Sequence, residues 1–186
     1  MTKQEIRKLA NAQRHALTIE QRKAYSEQLC ELLKTLPELQ EAKVIFSYKN
    51  MDDEIDLSNF DAWAVEQGKT VLYPVCLKDG IMDAYEPSTG EDAWEVDKYG
   101  IASPVVAKSK LYQPEQVDAI MVPCVAFDEH LGRSGHGAGY YDRYMPKTDA
   151  KRILIAFEAQ KVPQCVMDEY DLWVDCCVTE AKVYRN

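Results

Sequence analysis

Four short runs of mostly apolar residues constrain this chain more than any other feature: 44–48 (Val-Ile-Phe-Ser-Tyr), 70–75 (Thr-Val-Leu-Tyr-Pro-Val), 119–123 (Ala-Ile-Met-Val-Pro) and 152–157 (Arg-Ile-Leu-Ile-Ala-Phe). None alternates apolar with polar, as a strand with one wet face would, so each predicts a strand covered on both faces. Between the first two, residues 56–67 are helical in pattern and close at Gly68, which completes a strand-helix-strand unit. Residues 81–85 and 173–178 read as further strands and 140–145 as a helix, whereas 86–116 is polar and turn-rich. This alternation predicts an α/β fold: a three-layer α/β/α domain on a mostly parallel central sheet.

Ahead of the sheet, Ile6, Leu9, Ala10 and Leu17 fall near helical spacing while Lys3, Arg7 and Arg14 share one side, an amphipathic helix with a cationic face. Thr18-Ile19-Glu20-Gln21 is a capping box that opens a second helix through Leu29, Leu32 and Leu33 to a break at Pro37, so the chain is expected to start with a helical hairpin. At 186 residues the chain suits one domain, 1–186, with a core of its own. No run approaches the roughly 18 apolar residues of a membrane span, and the polar start Thr2-Lys3-Gln4-Glu5 is unlike a secretory signal, so a cytoplasmic address is expected. Six cysteines without a Cys-x-x-Cys pair then read as free, mostly buried thiols. Three scattered histidines give no zinc spacing, which leaves a hard, oxygen-bound ion as the expected metal.

The net charge of −9 offers no general attraction to nucleic acid or to an anionic membrane, and neither is expected as a partner. Residues 1–34 nevertheless carry seven Lys and Arg against four Glu, and Arg133, Arg143, Lys147, Lys151 and Arg152 form a second basic island. Two basic patches on an acidic body suit a small polyanion. Four of the eight glycines fall in Gly132-Arg133-Ser134-Gly135-His136-Gly137-Ala138-Gly139, after a strand and before the helix that begins Tyr140-Tyr141-Asp142-Arg143. Such a segment can turn its backbone N–H groups toward phosphates beside a helix N-terminus. It is neither a Walker A loop nor a dinucleotide fingerprint, and glycines alone would equally suit a flexible surface loop. Arg133, Arg143 and the adjacent carboxylate favour nucleotide phosphate plus metal.

With Val122-Pro123-Cys124-Val125-Ala126-Phe127-Asp128 before it and Tyr140-Tyr141-Asp142-Arg143-Tyr144 at its end, this segment resembles the signature of the 5-formyltetrahydrofolate cyclo-ligase family. Lys3-Gln4-Glu5-Ile6-Arg7, Asp53-Glu54-Ile55-Asp56, Gly68-Lys69, Tyr99-Gly100-Ile101 and Glu169-Tyr170-Asp171 extend the resemblance along nearly the whole chain. It implies ATP-dependent closure of 5-formyltetrahydrofolate to 5,10-methenyltetrahydrofolate with release of ADP and phosphate. The formyl oxygen would leave as phosphate from an iminophosphate attacked by N10, so no enzyme nucleophile is needed.

Carried over by position, the resemblance implies ATP contacts at Lys3, Gln4, Glu5, Ile6 and Arg7 and along Arg133, Ser134, Gly135, His136, Gly137, Ala138, Gly139, Tyr140 and Tyr141. It implies Mg²⁺ ligands at Asp142 and Asp171, and folate contacts at Lys49, Glu54, Tyr99 and residues 136–140, with Glu54 and Arg143 at the reacting centre. Solvated helix face for Lys3 and Arg7, helix cap for either Asp, and core tyrosine for Tyr99 are the structural alternatives. His136 and Ala138 depart from the family pattern, in which Arg or Tyr and Gly or Lys are common. A bound polyanion would draw the His136 imidazole toward its charged form. The expected state is a monomer. A non-catalytic MgATP-binding module, and an isomerase or CoA-transferase that uses a carboxylate without ATP, remain the alternatives.

Overall fold

The computed structural model describes residues 1–186. The chain opens with α1 (Lys3–His15) and α2 (Ile19–Leu33), each started by a capping box: Thr2 with Glu5, and Thr18 with Gln21, exchange side-chain and backbone hydrogen bonds. Pro37 does not simply break the chain but enters the first turn of α3 (Pro37–Glu41), where a missing N–H leaves nothing unpaired. Then follow β1 (Val44–Phe46), α4 (Ser58–Glu66), β2 (Thr70–Cys76), β3 (Met82–Pro87), β4 (Trp94–Val96), β5 (Ala102–Pro104), β6 (Ser109–Tyr112), β7 (Ala119–Pro123), β8 (Ala126–Phe127), β9 (Arg133–Ser134), α5 (Tyr140–Tyr144), β10 (Lys151–Ile155), β11 (Cys176–Val178) and β12 (Val183–Tyr184).

Eight strands form one sheet in the order β12-β11-β10-β7-β1-β2-β3-β6. The run from β11 to β2 is parallel, and β12, β3 and β6 add antiparallel edges. Ile45, Val71, Met121 and Ile153 face one side, beneath Leu29 and Leu33 of α2, Leu39 of α3 and Phe60 of α4. Phe46, Leu72, Ile120, Val122 and Leu154 face the other, where the cover is thinner: Tyr144 of α5, then Met145, Leu131 and Phe127. Burial on both faces is why the strand sequences are continuous apolar runs. Each such side chain contributes about 1.5–3 kcal/mol relative to exposure.

The N-terminal pair diverges. While α2 lies on the sheet, α1 packs Ile6 and Ala10 against Val125, Ala126, Val162 and Cys165, beyond the ends of β7 and β10. Arg14 therefore does not share an exposed cationic face with Lys3 and Arg7. Two turns further along α1 it is buried, with Nη2 2.8 Å from Asp53 Oδ2. Within 86–116 the structure adds β4, β5 and β6, each too short to show a period, and β4 and β5 pair as a separate hairpin. The final run shortens to β11, with Trp173 outside it and exposed. All six cysteines are free and five are buried. No helix is long and apolar enough to cross a membrane.

The buried carboxylate of Asp128 ties the β8–β9 turn to the later chain: Oδ1 accepts from the His130 and Gly132 amides at 2.9 Å and Oδ2 from the Cys165 amide at 2.7 Å. A side chain at position 132 would meet Asp128 Oδ2 at 2.6 Å, which is why glycine stands there. Asp128→Ala leaves these donors without a partner and should cost roughly 3 kcal/mol. Asp128→Asn, which keeps one acceptor oxygen, should cost less. Thermal unfolding decides, and two variants as stable as wild type would remove this role.

Candidate active site

From β1 the chain crosses through α4 to β2 on one side; from β7 it crosses to β10 on the other. Such a divergence in an open α/β sheet leaves a crevice at the carboxyl ends of the two strands. Two cavities open there. One, about 540 Å³, is lined by Lys3 and Arg7 of α1, Arg133 of β9, the glycine loop from Gly135 to Gly139, Asp142 and Arg143 of α5, and Asp168, Tyr170 and Asp171. The other, about 220 Å³, is mostly apolar, with Tyr48, Met51, Met82, Tyr99 and Ile101 in its wall beside Lys49 and Glu54. Pro123, His136, Ala138, Tyr140 and Tyr141 line both.

The first cavity holds four cations against three carboxylates. Arg7 donates Nε to Gly135 O at 2.8 Å and to Ser134 Oγ at 3.2 Å, leaving its terminal nitrogens beside Gly137. Arg133 is buried and paired with Asp142, yet its Nε has no partner. Arg143 donates to Ala138 O at 2.6 Å. Gly139 has φ +73°, and a Cβ there would lie 2.8 Å from Arg143 Nη1, so this position requires glycine. Because α5 spans only five residues, its dipole adds little, and the positive charge of the cradle comes from side chains.

Lys3 binds Asp168 at 2.6 Å and also Asp171. Partial burial works against its charge, but these hydrogen bonds outweigh it and hold the ammonium above its ordinary range. Asp142 Oδ1 takes Arg133 and, at 3.4 Å, the Leu172 amide; Asp171 Oδ2 takes Lys3 and, at 2.9 Å, the Asp168 amide. Each carboxylate keeps its other oxygen without a protein partner, an arrangement that fits a hard cation.

In the second cavity the Glu54 side chain is 8% exposed, with Oε1 3.6 Å from His136 Nε2 and Oε2 accepting from the Met51 amide at 2.8 Å. Burial pushes its carboxyl above the ordinary range, against the Met51 bond and the Arg14 charge. Burial together with the Arg14 and Arg7 charges holds the His136 imidazole below its ordinary value, with Asp53 opposing. Tyr99 is half exposed, not a core residue, and its hydroxyl meets that of Tyr140 at 2.9 Å.

The structure thus gathers Lys3, Arg7, Arg133, residues 135–143 and Asp171 around one cavity, and Lys49, Glu54 and Tyr99 around its neighbour. It does not bring all of residues 3–7 there. Gln4 is exposed, Glu5 serves the Thr2 capping box and Ile6 lies in the core, because consecutive residues point about 100° apart around a helix and cannot all face one cavity. Ser134 is buried behind the cleft as an acceptor for Arg7. The sequence reading missed Asp168, the second partner of Lys3, although the acidic run 168–171 contains it. It also missed Cys76, Met82 and Pro123, which reach the apolar wall from separate segments.

The chain is thus an α/β protein in which a cationic cleft shares a wall with a mostly apolar cavity at the carboxyl ends of the central strands. The profile of the 5-formyltetrahydrofolate cyclo-ligase family matches residues 1–180. A probable 5-formyltetrahydrofolate cyclo-ligase of Schizosaccharomyces pombe is 30% identical, with 100% of this chain and 98% of that protein covered. The 5-formyltetrahydrofolate cyclo-ligase of Escherichia coli K12 is 24% identical over 92% of this chain and 97% of its own. The solved 5,10-methenyltetrahydrofolate synthetase of Aquifex aeolicus superposes with a TM-score of 0.86 at 32% identity, covering 100% of this chain and 93% of that one. The chain belongs to the 5-formyltetrahydrofolate cyclo-ligase family, ATP-dependent ligases of one-carbon metabolism that convert 5-formyltetrahydrofolate to 5,10-methenyltetrahydrofolate.

Proposed function

We propose that the two cavities hold the two substrates of this reaction, the ATP phosphates in the cationic cleft and the pterin of 5-formyltetrahydrofolate in the apolar one, so that the formyl oxygen meets the γ-phosphate at their common wall. The shared wall of Pro123, His136, Ala138, Tyr140 and Tyr141 carries this reading. At 220 Å³ the apolar cavity is smaller than a site for a whole drug-sized ligand. The pterin is the part it suits, and the p-aminobenzoyl-glutamate tail extends outside.

A formamide oxygen is a poor leaving group. When it attacks the γ-phosphorus, the bond to ADP breaks and an iminophosphate forms; N10 then adds to the formyl carbon and loses its proton to solvent, and phosphate departs with the former formyl oxygen. The protein needs to position and to neutralise charge. Lys3, Arg7, Arg133 and Arg143 surround the phosphates. Residues 135–139 line the same cleft. Glu54 holds the substrate beside the reacting formyl, Tyr99 packs against the pterin, and Lys49 contributes a cation. Asp142 and Asp171 would hold Mg²⁺ through their free oxygens, and a bound magnesium would offset phosphate charge.

Two experiments follow. With the formyl oxygen labelled with ¹⁸O, the label should emerge in inorganic phosphate; label released to water instead would exclude the iminophosphate route. In the free protein the His136 ring should titrate below about 6.5, and its midpoint should rise when ATP binds because anionic phosphates favour the imidazolium. An NMR titration in which ATP leaves that midpoint unmoved would take His136 out of the phosphate wall.

A further inference from the structure

Behind the wall of the apolar cavity lies a buried polar cluster for which the reaction scheme gives no use. Asp61 of α4 is 5% exposed. Its Oδ1 accepts from Ser47 Oγ and its Oδ2 from the Tyr73 hydroxyl, both at 2.8 Å. The Tyr73 ring stands edge-on to Trp94 with centroids 4.9 Å apart. Lys49 Nζ lies 4.8 Å from each of these two rings. Lys49 is also the one lysine or arginine that lines the apolar cavity.

These contacts form a connected chain from carboxylate to ammonium. A phenol that donates its proton to a carboxylate has a more electron-rich ring, which attracts a cation more strongly. Two rings inclined at 72° restrict an ammonium that would otherwise sample many rotamers on its flexible stem. Burial pushes the Asp61 carboxyl up to about 6, against the Ser47 and Tyr73 hydrogen bonds and the Lys49 charge, with Asp56 adding to the upward push. Keeping such a group inside a fold is costly, and an apolar side chain would fill the space without that cost.

We propose that Asp61 is a positioning residue for folate recognition: acting through Tyr73, it fixes the Lys49 ammonium on the cavity wall as the cation that meets an oxygen of the folate. This rests on the reading of the apolar cavity as the folate site. The oxygen belongs either to the pterin oxo group or to the glutamyl carboxylates, which present the same acceptor chemistry to an ammonium.

The test is steady-state kinetics on the full chain for Lys49→Met, Asp61→Asn, the double variant and Tyr73→Phe, with the KM for each substrate determined separately. Lys49→Met and Asp61→Asn should each raise the folate KM roughly five- to tenfold and leave the ATP KM within about twofold, and the double variant should be no worse than Lys49→Met alone. Tyr73→Phe keeps the ring and removes the link; it should move the folate KM the same way and have no effect once Lys49 is Met. It carries the test if Asp61→Asn does not fold. An Asp61→Asn or Tyr73→Phe effect that persists undiminished in the Lys49→Met background, or a parallel rise in the ATP KM, overturns the relay and leaves the folate-site reading standing. A folate KM unchanged by Lys49→Met overturns both. With 5-formyltetrahydropteroate, which lacks the glutamate, Lys49→Met should have no effect if the carboxylates are the partner and its full effect if the oxo group is.

Discussion

Asp142→Asn should lower turnover at least ~100-fold, the scale of losing a group that organises charge around a transferring phosphoryl. The substitution preserves shape and removes one negative charge. In this fold it has a second consequence, because Asp142 is also the counter-ion of Arg133, whose side chain is 4% exposed. Removing one partner of a buried pair leaves the other uncompensated, so Asp142→Asn should also lower Tm, by an amount worth about 1–3 kcal/mol. Asp171 separates the two effects. Its partner Lys3 is partly exposed and keeps Asp168, so Asp171→Asn should lose activity to a similar degree with a smaller fall in Tm. Rates measured below both transitions, together with the two melting curves, test this. Wild-type turnover in Asp142→Asn would leave that residue only its structural pairing with Arg133.

Glu54→Gln should reduce kcat/KM for 5-formyltetrahydrofolate about 100-fold, in the range seen when a positioned acid or base is lost. Stability should move the other way. The carboxyl of Glu54 sits above the ordinary 4.5 because burial disfavours its charge. The fold therefore prefers the protonated form, and the ionised group opposes folding at neutral pH; that opposition fades as pH falls through the folded value toward the unfolded one. Gln carries no charge and still accepts from the Met51 amide, so Tm at pH 7 should hold or rise while activity falls. A group retained against stability is the mark of a functional residue. The acid limb of the wild-type kcat/KM profile should lie above 4.5 for the same reason. Joint loss of Tm and activity in Glu54→Gln would make the residue structural.

What the sequence made legible follows from how locally each feature is specified. Strands buried on both faces write themselves as continuous apolar runs, so β1, β2, β7 and β10 could be read within a residue or two. Capping boxes marked the start of α2 in the same way. By contrast β4, β5, β6 and β12 are two to four residues long and exist only through partners elsewhere in the chain, so no window of sequence contains their signal. The site divides along the same line. Its glycines, Arg133, Asp142 and Arg143 are contiguous, and Lys3 and Arg7 share a helix face. The apolar cavity is assembled from residues near 48–54, 76–82, 97–102 and 123, which nothing local connects. Arg14 illustrates the limit of periodicity, which gave its direction on α1 correctly but could not show that the segment carrying Asp53 covers it.

The most direct test of the account is to incubate the purified protein with 5-formyltetrahydrofolate, ATP and Mg²⁺ and to follow the absorbance of the conjugated methenyl product alongside ADP. One ADP should form per methenyl product, and none of either when ATP, the folate or the divalent metal is withheld. Methenyl product formed without ATP, or ADP released at the same rate without the folate, would contradict a site in which the two substrates react across a shared wall.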